Sequence, residues 1–234
     1  MLMPFIPITL PEKPFTLTSL PHLSCPLCLT PGATKHASDK KRSYYLCNTC
    51  QLLFVSPEDF PSLEDEKAEY DLHENNPDDP RYRQFLNQLF EPLNERLQPG
   101  SHGLDFGSGP GPTLSLMLEE AGHTVALYDP FYANSPENLE QTYDFVCATE
   151  VVEHLHHPRA TLAQIWNCVK PGGYLGVMTQ LWSEQPSFER WRYKNDKTHV
   201  IFFSKETLVW LRQQWNATLH IINRNVTLFQ KSLE

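Results

Sequence analysis

Four of the six cysteines stand in two tight pairs, Cys25-x2-Cys28 and Cys47-x2-Cys50, with 18 residues between them. Thiolates at this spacing suit a tetrahedral Zn2+ ion, because each pair sits on a knuckle whose backbone can aim both sulfurs at one centre. Four protein ligands leave no open coordination position, so the zinc expected here is structural rather than catalytic. The other readings are two disulfides, which need an oxidising compartment, or unmetallated thiols. Between the pairs, Lys35, His36, Lys40, Lys41 and Arg42 fall near a predicted hairpin tip. They form either a solvated tip or a contact for an anion.

A second cluster of chemistry-bearing residues is Asp105-Phe106-Gly107-Ser108-Gly109-Pro110-Gly111. Glycines in such a run let the backbone turn tightly and approach a ligand closely. The dinucleotide template G-x-G-x-x-G fails, since Pro112 stands where its third glycine belongs. The pattern present is D-x-G-x-G-x-G. An acid two residues before the first glycine would repel a phosphate but can bond a cationic amine; the other reading is a structural partner for the loop amides. Twenty residues after Gly109 comes Asp129, at a predicted strand end. An acid there is placed either to take ribose hydroxyls or to cap the strand.

The elements that must position these groups follow from pattern. Residues 1–24 are a Pro-rich arm, 25–55 the cysteine module, 56–100 an acidic linker with N-terminal helices, and 101–234 the main domain. Helices are predicted over 63–72, 81–97, 113–121, 157–169 and 205–215. Strands are predicted over 102–106, 124–129, 143–148 and 174–180, with two more around a turn near 223–225. Pro171-Gly172-Gly173 reads as the stop of the fourth helix. Strands alternating with helices imply an α/β fold with a doubly wound, mostly parallel sheet. With 40% apolar residues, 13 Phe, 9 Tyr and 5 Trp, the chain can build a core, which excludes global disorder.

Charge is uneven. Residues 1–50 carry five Lys/Arg against two acids, net +3, while the remainder carries 14 basic and 26 acidic groups, net −12. An acidic body argues against a long phosphate-tracking surface. No window reaches ~18 uninterrupted apolar residues, so no membrane span is expected. The opening MLMPFIPITLPEKPF has no basic region and is broken by prolines, so a secretory leader is not expected and a cytoplasmic location is.

Taken in order, the glycine loop, Asp129, Glu150-Val151-Val152-Glu153-His154-Leu155 and Lys170-Pro171-Gly172-Gly173-Tyr174-Leu175 resemble class I S-adenosylmethionine-dependent methyltransferases over residues 102–180. The likeness is to the broad subfamily that includes ubiquinone-pathway O-methyltransferases and sugar methyltransferases. Asp196-Lys197-Thr198-His199-Val200 with Phe203-Ser204 extends it. The resemblance implies a Rossmann-like sheet and S-adenosylmethionine as cofactor. It implies that Asp105, Gly107, Ser108, Gly109 and Gly111 line the methionine end. Asp129 would hold the ribose with Tyr128 and Pro130 beside it, and Thr149, Glu150 and Val151 would face cofactor or acceptor. Only thirteen residues, 130–142, separate Asp129 from the next strand, which barely covers one crossover. The third strand of such a sheet is therefore expected to be short or missing.

Methyl transfer from a sulfonium is an in-line displacement that depends on placement, and it needs a base only where the acceptor must lose a proton. Candidates are Glu153, His154 and His199, with Glu150, His156 and His157 beside them; the other reading of His154 and His199 is a structural cap of their loops. His156 and His157 precede Pro158 and read as exposed turn residues. Trp191, Tyr193 and Phe202 are read as walls of an acceptor pocket or as plain core, and Tyr70, His73 and Tyr82 as parts of an N-terminal lid. The acidic body favours a small-molecule acceptor. The alternatives are an rRNA or tRNA base reached through the basic tip, and a degenerate fold that serves as an interaction module.

Overall fold

The computed structural model describes residues 23–72, 75–185 and 187–233. Most of the Pro-rich arm, and His73 of the expected lid, lie outside the described residues.

The cysteine module folds as an antiparallel set of short strands, β1 (Thr34–Ser38), β2 (Ser43–Leu46) and β3 (Leu53–Val55). Two helices follow. α1 (Leu63–Tyr70) begins at Ser62, whose side chain accepts the Asp65 amide. α2 (Pro80–Asn94) begins with Asp79 as cap and Pro80 in its first turn, where a missing N–H costs nothing. α2 buries Leu86, Leu89 and Leu93, the i, i+3, i+7 face expected of an amphipathic helix, and ends three residues earlier than its periodicity predicts.

The main domain then alternates: β4 (His102–Phe106), α3 (Thr113–Glu120), β5 (Thr124–Tyr128), β6 (Tyr143–Thr149), α4 (Pro158–Asn167), β7 (Val169–Met178), β8 (Ile201–Phe202), α5 (Lys205–Trp215), β9 (Thr218–Ile221) and β10 (Val226–Gln230). Six strands form one sheet in the order β5-β4-β6-β7-β10-β9. The first four run parallel, and β10 and β9 close the far edge antiparallel. Residues 130–142 hold only a short 3-10 turn, Pro136–Glu140, so β5 is an edge strand where one more was in question.

Buried on both faces, the central strands read as apolar runs. On β6, Val146 and Ala148 point to the side of α4 and α5, while Phe145 and Cys147 point to that of α2 and α3. The four parallel strands bring the ends of β4, β5 and β6 to one edge, where ligand crevices of α/β sheets form.

Two local predictions are corrected. The fourth helix stops at Asn167 rather than Val169, and Pro171-Gly172-Gly173 lies inside β7. There it makes an irregularity: Tyr143 pairs with Val169 but Phe145 with Tyr174. The C-terminal segment holds this bulge, Gly172 N–H donating to Lys231 O and Lys231 N–H to Gly173 O, both at 2.9 Å. The second is β8, which carries no strand signal. Its two residues pair with β3, Leu53 opposite Phe202 and Phe54 opposite Ile201, so a strand of the main domain completes the sheet of the cysteine module.

Candidate active site

Over the carboxyl ends of β4, β5 and β6 lies a cavity of about 1190 Å³. Its floor is the glycine loop. Gly107 and Gly109 have φ of +76° and +63°, the left-handed region that glycine enters freely. Gly107 N–H donates to Tyr128 O at 2.7 Å, tying the loop to the end of β5. A Cβ at Gly107 would lie 2.4 Å from Val151, and one at Gly111 would lie 2.1 Å from the Asn75 carbonyl. These two glycines therefore admit neighbouring protein as well as floor the cavity.

Both predicted acids are buried there. Asp105 accepts the Ser115 hydroxyl at 2.7 Å. Burial pushes its pKa up to about 6; the Ser115 bond opposes this and the Asp129 charge adds to it. Asp129 accepts from three amides, Gly109 at 3.0 Å, Phe131 at 2.8 Å and Tyr132 at 3.1 Å. It thus braces the glycine loop against the turn after β5, and its Oδ2 carries a single donor, leaving capacity for one more. Tyr128 packs against Phe106 with the rings tilted by 33° and centroids 5.2 Å apart, and Pro130 lies exposed at the rim. Two buried hydroxyls on the cavity wall, Ser108 Oγ and Thr149 Oγ1, have no hydrogen-bond partner among the described residues. Buried orphans of this kind are rare. A nucleoside with an amino-acid tail would satisfy them, so this donor set fits S-adenosylmethionine.

The turn after β6 carries Glu150, Glu153 and His154. Glu150 has φ of +52°, a strained conformation for a residue with a side chain. Its carboxyl is pushed up to about 9, first by burial and then by the Glu153 charge, with a Tyr193 hydrogen bond opposing. Glu153 is fully buried; the Tyr193 hydroxyl donates to its Oε1, and its Oε2 has no hydrogen-bond partner among the described residues. His199 arrives from the segment before β8. Its Nδ1 lies 2.8 Å from Tyr193 O, and the His154 Nδ1 lies 3.1 Å from Thr198 O. Carbonyls only accept, so each Nδ1 carries a proton, and in the neutral ring each Nε2 presents the lone pair. Burial lowers the His199 pKa, the Glu153 charge opposes it, and the neighbouring His154 lowers it further. Ligand-type atoms of Glu153, His154 and His199 lie within 4.8 Å of one another. All three predicted proton carriers thus meet, although His199 is 45 residues from His154 in the chain.

Other expectations divide. Tyr70, Tyr82 and Tyr193 line the cavity, while Trp191 and Phe202 join a separate core with Tyr44, Leu53 and Val55. His157 is exposed, but His156 is half-buried against Phe60 and lies 2.9 Å from Glu66 of α1. The sequence analysis missed Glu66, Asn75, Phe85 and Phe131 as lining residues. Glu66 is one of ten acids in residues 56–79 and, among the described residues, the one that is buried; nothing local separates it from its solvated neighbours.

The four sulfurs of the cysteine module converge at the opposite end of the β2–β3 sheet. Cys25 and Cys50 lie 3.5 Å apart, Cys28 and Cys47 3.4 Å, and all six cysteines are free thiols. The two knuckles repeat one geometry. Leu29 N–H donates to Cys25 O and Gln51 N–H to Cys47 O, both at 3.0 Å. Each knuckle ends on a residue of positive φ, Leu29 at +63° and Gln51 at +57°. A hydrogen bond from Cys50, against the cost of burial, brings Cys25 down to about 6. Four convergent sulfurs at this separation could hold one ion.

At the module's hairpin tip, Lys35, Lys40 and Lys41 are exposed but Arg42 is buried, so it is not available as the surface anion contact considered from its spacing.

Residues 74–220 match a methyltransferase domain family. Over 77 residues the chain is 31% identical to the ubiquinone biosynthesis O-methyltransferase of Photorhabdus laumondii, a stretch covering 33% of this chain and 32% of that relative. The chain thus spans about a third of the length of that curated relative. In fold it is similar to the 1,6-didemethyltoxoflavin-N1-methyltransferase of Burkholderia thailandensis, solved with 1,6-didemethyltoxoflavin and S-adenosylhomocysteine. That match has a TM-score of 0.51 and 16% identity over 86% of this chain and all of the other.

Proposed function

We propose that the chain, which belongs to the methyltransferase domain family, is an S-adenosylmethionine-dependent methyltransferase that acts on a small-molecule acceptor. The observation that carries the cofactor assignment is the cavity itself. Two buried acids flank a glycine loop, and two buried hydroxyls on its wall lack partners. In this reading Asp105, Gly107, Ser108, Gly109 and Gly111 hold the methionine end. Asp129 takes the ribose beside Tyr128 and Pro130, and Thr149, Glu150 and Val151 face the bound nucleoside. The cofactor supplies a methyl group on a sulfonium. The protein orients the acceptor, excludes water and, where the acceptor carries a proton, removes it at Nε2 of His154 or His199.

Three observations support a small acceptor. The body outside the first 50 residues carries a net charge of −12. Residues of α1 and Asn75 line one side of the cavity. The two proteins named above are, by their names, methyltransferases of ubiquinone biosynthesis and of 1,6-didemethyltoxoflavin. The four-cysteine module is assigned a structural Zn2+ held by Cys25, Cys28, Cys47 and Cys50, on the strength of its converged sulfurs and paired knuckles.

Calorimetric titration of the purified chain with S-adenosylhomocysteine tests the cofactor assignment. Saturable binding, with a rise in melting temperature, is expected. Absence of both at millimolar ligand overturns it. Mass spectrometry of small molecules that copurify then identifies the acceptor class.

A further inference from the structure

We propose that Arg42, from the cysteine module, is a positioning residue for the proton-carrying side of the active site. The inference rests on the methyltransferase reading for what is positioned, though not for the geometry. Arg42 leaves the β1–β2 turn and buries its guanidinium under the segment that precedes β8. There it donates to four main-chain carbonyls: Nη1 to Lys197 O at 3.2 Å and His199 O at 2.9 Å, Nη2 to Asp196 O at 2.9 Å and to Lys194 O. Four carbonyl oxygens from six consecutive residues converge on one planar cation.

That convergence sets the site. Carbonyl dipoles that point at one centre repel each other, so residues 194–199 keep their curl because a buried positive charge holds its inner side. The curl turns the His199 Nδ1 back onto Tyr193 O, and it lays the Tyr193 hydroxyl on Glu153. The next residue, Val200, extends the link. Val200 N–H donates to Glu153 O at 2.9 Å, and Val55 N–H of β3 donates to Val200 O at 2.8 Å. Arg42 is itself held from the module side, where Asp39 Oδ1 accepts its amide at 2.9 Å and Asp39 Oδ2 accepts the Tyr44 hydroxyl at 2.7 Å. Arg42 and Cys47 flank the two ends of β2, so the sulfur cluster and the clamp share one strand. The second knuckle also meets the main domain directly, since Gln51 O accepts the Ser204 hydroxyl at 3.1 Å. The cysteine module thereby frames the proton-carrying wall and leaves the glycine-loop floor to β4 and β5.

A lysine cannot replace this group, because one ammonium lacks the planar fork that spans four acceptors. The test compares wild type, Arg42→Lys and Arg42→Ala by two readouts. The ring signals of ring-labelled histidines report the geometry, and S-adenosylhomocysteine calorimetry reports the floor. In both variants the His199 and His154 signals are expected to shift or broaden, while those of His102, His123 and His220 stay in place. The nucleoside affinity is expected to stay within about two-fold, as for sites that share no partners. Millimolar guanidinium is expected to restore the His199 signal in Arg42→Ala and not in Arg42→Lys. Unchanged His154 and His199 signals in Arg42→Ala would overturn the proposal, as would a collapse of all histidine signals together with nucleoside affinity, which marks a general fold role. If wild type binds no nucleoside, the cofactor reading fails while the histidine signals still decide the clamp.

Discussion

The imidazoles of His154 and His199 lie edge to face with centroids 4.6 Å apart, each tied through Nδ1 to a main-chain carbonyl. In the neutral rings this leaves both Nε2 atoms as acceptors, that of His154 3.9 Å from Glu153 Oε1 and that of His199 3.8 Å from Asp196 Oδ2. Replacing His199 by Gln is expected to lower turnover of a proton-bearing acceptor by roughly 10²-fold or more, the usual contribution of a general base. S-adenosylhomocysteine affinity is expected to hold. Burial lowers the His199 pKa below its ordinary 6.5, which favours its base form. The wild-type rate should fall only as acid protonates it, at a pH below that ordinary value. Rate against pH for the two proteins, with the acceptor identified by mass, checks this.

Tyr193→Phe removes the donor to Glu153 Oε1 and leaves a fully buried carboxyl with no hydrogen bond from the described residues. A loss of about 1–3 kcal/mol in stability is expected. Adding Glu153→Gln to that variant should recover part of it, since the amide is never charged. Urea unfolding of the two single variants and the double measures the coupling.

Asp105 is expected to link cofactor binding to protons. Its pKa of about 6 lies above the ordinary 3.8, so between those values the folded protein holds a proton that the unfolded chain has lost. Stability therefore falls as pH rises through that window. A cationic amine placed beside Asp105 favours the charged form and should expel the proton. S-adenosylhomocysteine binding near pH 5.5 is expected to release part of a proton, and release should vanish in Asp105→Asn. Calorimetry in two buffers of different ionisation enthalpy reads the count directly.

Zinc assignment to the cysteine module makes a stoichiometric demand. One zinc per chain is expected by elemental analysis, falling to a small fraction in Cys47→Ser. Since β8 pairs with β3, loss of the metal is also expected to raise amide exchange at Val55 and around Val200, beyond the module itself. Protein free of zinc with unchanged melting would refute the structural role, because such a small module has little core of its own.

Much of the fold and the glycine-loop side of the cavity could be read along the chain. The cysteine pairs, the glycine loop and Asp129 are local: their spacing within a knuckle or a strand–turn–helix unit already dictates where side chains point. Apolar runs marked β4, β5 and β6, and the shortness of 130–142 marked an edge. The proton-carrying side was legible only as a list of candidates, because what sorts them is contact across long sequence separations. His199 meets Glu153 and His154 through a segment bent by Arg42, 157 residues before it. Trp191 and Phe202 fall into a core that forms when β8 joins β3, a two-residue strand too short for any period to show. Arg42 and Glu66 read as surface charges by composition, and the tertiary structure buries both. Which charge is buried depends on the carbonyls or side chains that another part of the chain brings to it, and no local pattern encodes that.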